Sequence, residues 1–215
     1  MADDNQSMTE ILKKTEKMTP KQIRILEAAI QLIAEKGYAA TSTSEIAAKA
    51  GVAEGTIFRH YRTKKELLMS IVHPVIARFA VPVFAEKFVD DVFRRQHKHF
   101  EDFLYAFIKN RFAFVQANVP LIKILVQEVA FHPELQAALK QNSLEKVIPA
   151  LQQTLDFYKA EGELRDMAND QIIRMIAPTV LGFLFTRFIV QPDRDWDDEA
   201  EIKQTISYLM HGIGK

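Results

Sequence analysis

The chain has 215 residues, of which 48% are hydrophobic, and its 28 basic and 28 acidic residues give a formal net charge of zero. This length and hydrophobic content are sufficient for a substantial core in one or two domains. There is no cysteine, which excludes disulfides, thiolate metal sites and cysteine nucleophiles. The hydrophobic residues recur at helical spacing, so we predict an all-α protein.

The sequence shows no pattern typical of a transmembrane segment or of a secretory signal peptide. No uninterrupted apolar run approaches the roughly 20 residues that a membrane span requires. The acidic start MADDNQS is not a secretory signal. We therefore expect a cytoplasmic protein with no membrane partner.

Three capping boxes predict helix starts in the first third of the chain. In each, a Ser or Thr side chain can accept a hydrogen bond from the backbone three residues later, where Glu or Gln can return one. They are Thr19 with Gln22, Ser42 with Glu45, and Thr63 with Glu66. The predicted helices cover about 20–36, 43–50, 54–61 and 64 onward. Residues 1–18 form an N-terminal extension, either frayed or contacting nucleic acid through Lys13, Lys14 and Lys17.

The second and third of these helices are joined by a turn at Gly51, a residue that can adopt the left-handed conformation. Helix, glycine-containing turn and helix is the spacing of a helix-turn-helix, whose second helix enters a major groove of DNA. Gly55 costs about 1 kcal/mol relative to Ala in a helix interior, yet it lets the backbone approach a phosphate or base edge closely. Any small helical domain has caps and a turn, but here the tight spacing coincides with an apolar stripe and a basic cluster. We therefore predict a DNA-binding domain over residues 19–66.

The run from Lys21 to Leu68 includes TSTSEIAAKAGVAEGTIFRHY and TKKELL, and it resembles the N-terminal domain of the TetR (tetracycline-repressor-like) family of bacterial transcriptional regulators. The resemblance implies a homodimer that binds double-stranded operator DNA and a small-molecule effector. By position, the predicted DNA-binding residues are Thr41, Ser42, Thr43, Glu54, Gly55, Thr56, Phe58, Arg59, His60 and Lys64. Two positions depart from the family pattern. Phe58 stands where Tyr is usual, and Ala53 replaces the usual Ser cap, at a cost of about 1 kcal/mol.

The helices predicted after residue 64 make up a larger second domain over residues 67–215. They cover about 64–79, 98–118, 121–130, 132–160, 170–190 and 197–211, which gives about nine helices in the whole chain. Pro74 and Pro82 should either kink the first of them or end it, and Pro149 should kink the fourth. The predicted fold is therefore all-α, with an N-terminal three-helix helix-turn-helix DNA-binding domain followed by a larger helical effector-binding and dimerisation domain.

Two sites are expected in this second domain. The helix over 98–118 is rich in phenylalanine, and Phe103, Phe107 and Phe114, with Arg111 as a polar anchor, are candidates for an effector pocket between this helix, the connecting helix and the helix after Leu121. The same phenylalanines could equally fill a core. The helix over 170–190 is apolar around most of its circumference. Leu181, Phe185 and Phe188 on it are therefore candidates for a dimer interface.

These patterns favour a ligand-responsive repressor that binds a palindromic operator as a dimer and is released by an apolar or aromatic effector. The alternative is a DNA-binding or scaffold protein that uses its helix-turn-helix without a ligand. The sequence has no metal-ligand spacing, phosphate-binding glycine loop or nucleophile elbow, so we expect no metal, no cofactor and no catalytic residues.

Overall fold

The computed structural model describes residues 18–80, 97–142 and 147–214, and the predictions for residues 1–17 and for Pro82 lie outside these ranges. The described residues form ten α-helices, which confirms the all-α prediction. They are α1 (Pro20–Lys36), α2 (Thr43–Ala50), α3 (Glu54–His60), α4 (Lys64–Ala80), α5 (Phe100–Ala117), α6 (Val119–Glu128), α7 (Pro133–Asn142), α8 (Ile148–Ala160), α9 (Asn169–Phe185) and α10 (Asp198–Ile213).

The first helices begin and end where local chemistry predicts. Thr19 and Gln22 form a complete capping box at α1, and Ser42 and Glu45 form another at α2. At α4 only half of the box is present: the Glu66 N–H donates to Thr63 Oγ1 (3.0 Å), while the Glu66 carboxylate accepts from the Arg62 N–H (2.9 Å). These bonds join residues three or four apart, so the sequence alone defines them.

Two prolines in the described helices, Pro74 and Pro149, were predicted to kink or end a helix. Pro74 lies inside α4, so it does not end that helix. Ile71, Val72, Val75 and Ile76 are fully buried around it, and their burial offsets the lost hydrogen bond. Pro149 lies in the first turn of α8, and the kink predicted there is not tested because residues 143–146 lie outside the described ranges. A missing N–H leaves no helical hydrogen bond unmade in a first turn, and the described residues of the predicted helix over 132–160 lie in α7 and α8.

The chain divides into two compact units. The first contains the described residues up to Phe79 together with Ala117–Lys140, and the second contains those of Ala80–Gln116 and Gln141–Lys215. The first unit thus holds α1–α4, α6 and most of α7, and the second holds α5 and α8–α10. This grouping differs from the predicted division at residue 66. The difference arises because α6, which follows residue 66 in the sequence, packs against α1.

In the second unit, every fourth residue from Ile172 to Leu184 on α9 is buried, and so is Phe188 after its end. The residues that follow α9, Thr186–Val190, form a π-helical turn, in which the Gln191 N–H donates to the Thr186 carbonyl (2.8 Å). The acidic stretch before α10 caps that helix, because the Asp197 side chain accepts from the Ala200 N–H (3.0 Å). Arg187 also pairs with Asp198 at this helix start (2.5 Å).

Candidate nucleic-acid interface

The α2–α3 joint has the geometry of a helix-turn-helix. Gly51 ends α2 at φ 63°, in the left-handed region, and α3 begins three residues later at Glu54. The Val52 N–H returns to the Ala47 carbonyl (3.0 Å), which satisfies one of the free carbonyls at the end of α2. The three residues 51–53 are thus the whole connection between α2 and α3.

The short helix α3 has one buried side and one open side. Ile57 is fully buried, and Tyr61, which ends the helix, is also in the core. Arg59 is exposed and His60 is half-buried. Phe58 is 46% exposed, a large apolar side chain left on the outer surface of a helix that is otherwise polar there. The open side therefore presents a mixed cationic and apolar surface.

Gly55 lies in the first turn of α3, and nothing in the described structure occupies the space where its side chain would be. A Cβ built at this position meets no heavy atom within 4 Å, and the backbone does not have a positive φ. Packing within the protein therefore does not require glycine here. The absence of a side chain leaves a site where another molecule can approach the backbone closely.

Ala53 caps α3 without a side-chain hydrogen bond, as its sequence implies. The Glu54 carboxylate instead accepts from Thr43 Oγ1 (2.5 Å) and so joins the starts of α2 and α3. Because both groups already bond each other, neither is as available for DNA as the sequence suggested. Thr56 is half-buried in the same turn.

The structure corrects the placement of the residues before α2. Thr41 is only 1% exposed, and its hydroxyl donates to the Gly37 carbonyl (2.8 Å), so this side chain holds a turn instead of facing DNA. The Ser42 hydroxyl accepts from the Glu45 N–H (3.2 Å) as the helix cap. A hydrogen bond from Lys36, followed by bonds from Ser42, lowers the pKa of Glu45 to about 2.

Lys64 begins α4 beside the joint, where sequence position predicted a phosphate contact. Its ammonium lies 4.2 Å from the centre of the Tyr38 ring. Burial lowers the pKa of Lys64 from its usual value, and burial followed by the nearby Glu128 carboxylate raises the pKa of Tyr38. Sequence reasoning also missed Arg24, whose Nε donates to the Ala50 carbonyl (3.0 Å) and braces α1 against the end of α2.

The candidate effector residues all lie on α5, in the second unit. Phe103 is buried, with ring centres 5.7 Å from Phe100 and 6.2 Å from Phe107, which is half-buried. Arg111 is also buried, with its guanidinium 5.3 Å from the Phe114 ring centre. The structure thus brings these residues together in two pairs along one helix.

The candidate dimer residues divide between surface and core. Leu181 and Phe185 are 49% and 42% exposed, but Phe188 is only 5% exposed. The Phe188 ring centre lies 4.9 Å from that of Phe112, so Phe188 belongs to the core of the unit and the prediction of an interface role for it is corrected. Periodicity could not separate these three residues, because α9 is apolar on both sides.

The same helix bears on the expectation that no segment of the chain is long and apolar enough to span a membrane. With its π-helical turn it spans 22 residues, Asn169–Val190, and by length and mean hydropathy (1.6) it could cross a membrane. Core and interface helices of soluble proteins have the same properties, so this helix is weak evidence for a membrane span. Arg174 and Arg187 both lie within it.

The tight helical reversal between α2 and α3 has the geometry of a helix-turn-helix, the class of motif that binds DNA in other proteins. Comparison with known proteins supports this class. Residues 25–71 match the family described as bacterial regulatory proteins, tetR family. Over 55 residues the chain is 51% identical to the uncharacterized HTH-type transcriptional regulator YvkB of Bacillus subtilis (strain 168). That alignment covers 26% of this chain and only 29% of the relative's own length.

Solved structures resemble the chain over most of its length. FadR from Bacillus subtilis, solved in complex with stearoyl-CoA, has a TM-score of 0.67 at 24% identity, covering 89% of this chain and 99% of FadR. The TetR family regulator PfmR from Thermus thermophilus has a TM-score of 0.68 at 21% identity, covering 87% of this chain and 97% of PfmR. Residues 25–71 are therefore similar to the helix-turn-helix domain of TetR-family regulators, and the chain as a whole has the same fold as the two solved structures.

Proposed function

We propose that the protein is a ligand-responsive transcriptional repressor that acts in the cytoplasm and binds a palindromic operator as a homodimer. The observation that carries this proposal is the open side of α3, where Phe58 and Arg59 are exposed and a Cβ at Gly55 would meet no atom within 4 Å. Two such helices in one dimer would enter successive major grooves about one helical turn apart. Contacts at the starts of α2 and α4 would fix the register on the phosphates.

The exposed face of α9 supports dimerisation. From Met175 to Phe185 the helix carries no charged residue, and three large apolar side chains on this stretch, Met175, Leu181 and Phe185, are exposed. Beside them a groove of about 390 Å³ lies between α9 and α10, with the exposed Tyr208 on its rim. An uncharged helix surface of this length is costly to leave in water, and a second copy would cover it.

The chemistry of α5 favours an effector with an apolar body and an anionic group. Arg111 is a buried cation on the phenylalanine-rich helix α5. Phe107, one helical turn before it, is half-buried. A guanidinium suits a carboxylate or phosphate, whereas the phenylalanines suit a hydrocarbon chain. The bound stearoyl-CoA of the structurally similar FadR has both features. We therefore place fatty acids and their acyl-CoA thioesters first among candidate effectors.

Selection of bound sequences from a random DNA pool tests the operator and the dimer together. We expect a palindromic site bound at least about a thousandfold more tightly than random sequence. Titration of that complex with stearoyl-CoA and with free coenzyme A should release the DNA only with the acylated compound. Enrichment of no sequence would contradict a specific regulator and support the alternative of a DNA-binding scaffold. Enrichment without release by any ligand would support ungated binding.

Replacing Arg59 with Ala should relax specificity at one base pair in each half-site. Arg reads guanine through two hydrogen bonds worth about 1–3 kcal/mol, and Arg59 is the exposed cation on α3. The variant should bind the consensus more weakly but tolerate substitution at that base pair. The measurement is the affinity for a set of single-substitution operators. An unchanged preference at every position would show that Arg59 does not read a base.

Replacing Gly55 with Ala should separate folding from DNA binding. Because a Cβ meets nothing within 4 Å, the free energy of unfolding should stay unchanged or rise by up to about 1 kcal/mol. If the α3 backbone meets DNA here, operator affinity should fall at least about tenfold, or about 1.4 kcal/mol. Denaturant unfolding and operator titration measure the two effects. Ala48→Gly, at an exposed position of α2, is a control for backbone flexibility.

A further inference from the structure

The two lysines that open α4 both contact other parts of the first unit. Lys65 forms an ion pair with Glu134 in the first turn of α7 (2.5 Å). Lys64 lies over the face of Tyr38, 4.2 Å from the ring centre. Tyr38 is in the turn between α1 and α2, and it is itself held by residues of the segment that contains α6 and α7.

Tyr38 is held at two points. Its backbone N–H donates to Glu128 Oε1 (3.3 Å) at the end of α6. Its ring and the His132 ring form a T-shaped pair, with ring centres 5.4 Å apart and planes at 81°. Glu128 Oε2 in turn lies 3.3 Å from His132 Nε2, so Tyr38, Glu128 and His132 form one closed cluster.

This cluster cannot rearrange in parts without a cost. Glu128 is buried, and a buried carboxylate that loses its hydrogen-bond donors is strongly disfavoured. The Tyr38 amide supplies one such donor, and His132 Nε2 lies 3.3 Å from the other carboxylate oxygen, so these contacts tie Tyr38 to the end of α6 and to the residue before α7. The free face of the Tyr38 ring then offers a fixed surface on which the lysine ammonium can rest.

A lysine has a long flexible side chain, and ordering it when it binds a phosphate has an entropic cost. A lysine that is already held over a ring has lost part of its side-chain entropy in the free protein, so less is lost when it binds the phosphate. The ring also carries no formal charge, so it does not compete with a phosphate as a carboxylate would.

We propose that Tyr38, Glu128 and His132 are positioning residues that hold Lys64 for contact with a DNA phosphate. The position of the α6–α7 segment therefore sets the strength of that contact. This inference rests on the proposed DNA-binding function, and it adds a route by which residues about 90 positions further along the chain control it.

The salt dependence of operator binding tests the proposal, because each phosphate contact contributes about 0.9 to the slope of log affinity against log salt concentration. Lys64→Met should lower the slope by about one per protomer, or about two per dimer. Tyr38→Leu should lower it by the same amount although Lys64 is intact. The double variant should lower it no further, and Tyr38→Phe, which keeps the ring, should match the wild type. A Tyr38→Leu slope equal to the wild type, or additive effects in the double variant, would overturn the proposal.

A measurement without DNA keeps the proposal testable if the operator is unknown or if Tyr38→Leu folds poorly. The Tyr38 ring current should shift the Lys64 ε-methylene protons upfield in the NMR spectrum, and Lys64→Arg identifies their signal. His132→Ala should move that signal toward the value of a solvated lysine. Phe131→Ala, next to His132 and largely exposed, is the matched control and should not. An unchanged signal in His132→Ala would refute positioning, whereas a wild-type protein that binds no operator would refute only the proposed function.

Discussion

Replacing Leu181 with Glu should convert the protein from a dimer to a monomer and weaken operator binding at least about a hundredfold. Leu181 is 49% exposed on the uncharged face of α9, so a charge there should not disturb the unit itself. In a dimer the same charge would be buried without a partner. A monomer binds one half-site and loses the gain of about 10²–10⁴ from linking two binding events. Analytical ultracentrifugation at micromolar concentration and operator titration measure these effects.

Phe157→Glu is the matched control for Leu181→Glu. Phe157 is another exposed apolar residue in the same unit, but it lies on α8, outside the proposed interface. Its substitution should leave the dimer and its operator affinity intact. A Leu181→Glu variant that remains dimeric would place the interface elsewhere, and a wild-type protein that is monomeric would contradict dimerisation altogether.

Replacing Phe188 with Ala should lower the free energy of unfolding by about 3–5 kcal/mol, which is the usual cost of removing a buried phenylalanine. Phe188 is 5% exposed, and its ring packs 4.9 Å from that of Phe112. The midpoint of thermal unfolding should fall by roughly 10 °C, since each kcal/mol shifts a protein of this size by about 2–4 °C. Denaturant and thermal unfolding at fixed protein concentration measure the change.

Phe157→Ala is the comparison here, because it removes an equal volume from an exposed position and should cost less than about 1 kcal/mol. If Phe188→Ala instead dissociated the dimer and left the stability of the subunit unchanged, Phe188 would belong to the interface. That outcome would restore the interpretation from sequence.

Interactions between near neighbours in the sequence explain why the first helices and the turn between α2 and α3 were predicted closely. The caps at Thr19 and Ser42, the left-handed residue Gly51 and the uncapped start at Ala53 depend on residues within four positions of one another. Such interactions form in the same way wherever the helix packs. The spacing of α2 and α3, and hence the class of protein, follows from the sequence for that reason.

The prolines show where local chemistry stops being decisive. Pro74 and Pro149 have the same effect on the backbone, yet one lies within α4 and the other in the first turn of α8. Burial around Pro74 outweighs the lost hydrogen bond, and this burial depends on residues distant in sequence. The same limit applies to α9, whose apolar residues on two sides gave no sign of which face was core.

By itself the sequence determined that this protein is helical, where the helices of its helix-turn-helix begin and end, and which family it resembles. Only the tertiary structure decided that Thr41 faces inward, that Phe188 is core while Phe185 is exposed, and that α6 packs against α1. It alone also brought Tyr38 to Glu128 and His132, across about 90 residues. The physical reason is that caps and turns are formed by near neighbours, whereas burial and long-range contacts depend on how all the helices pack.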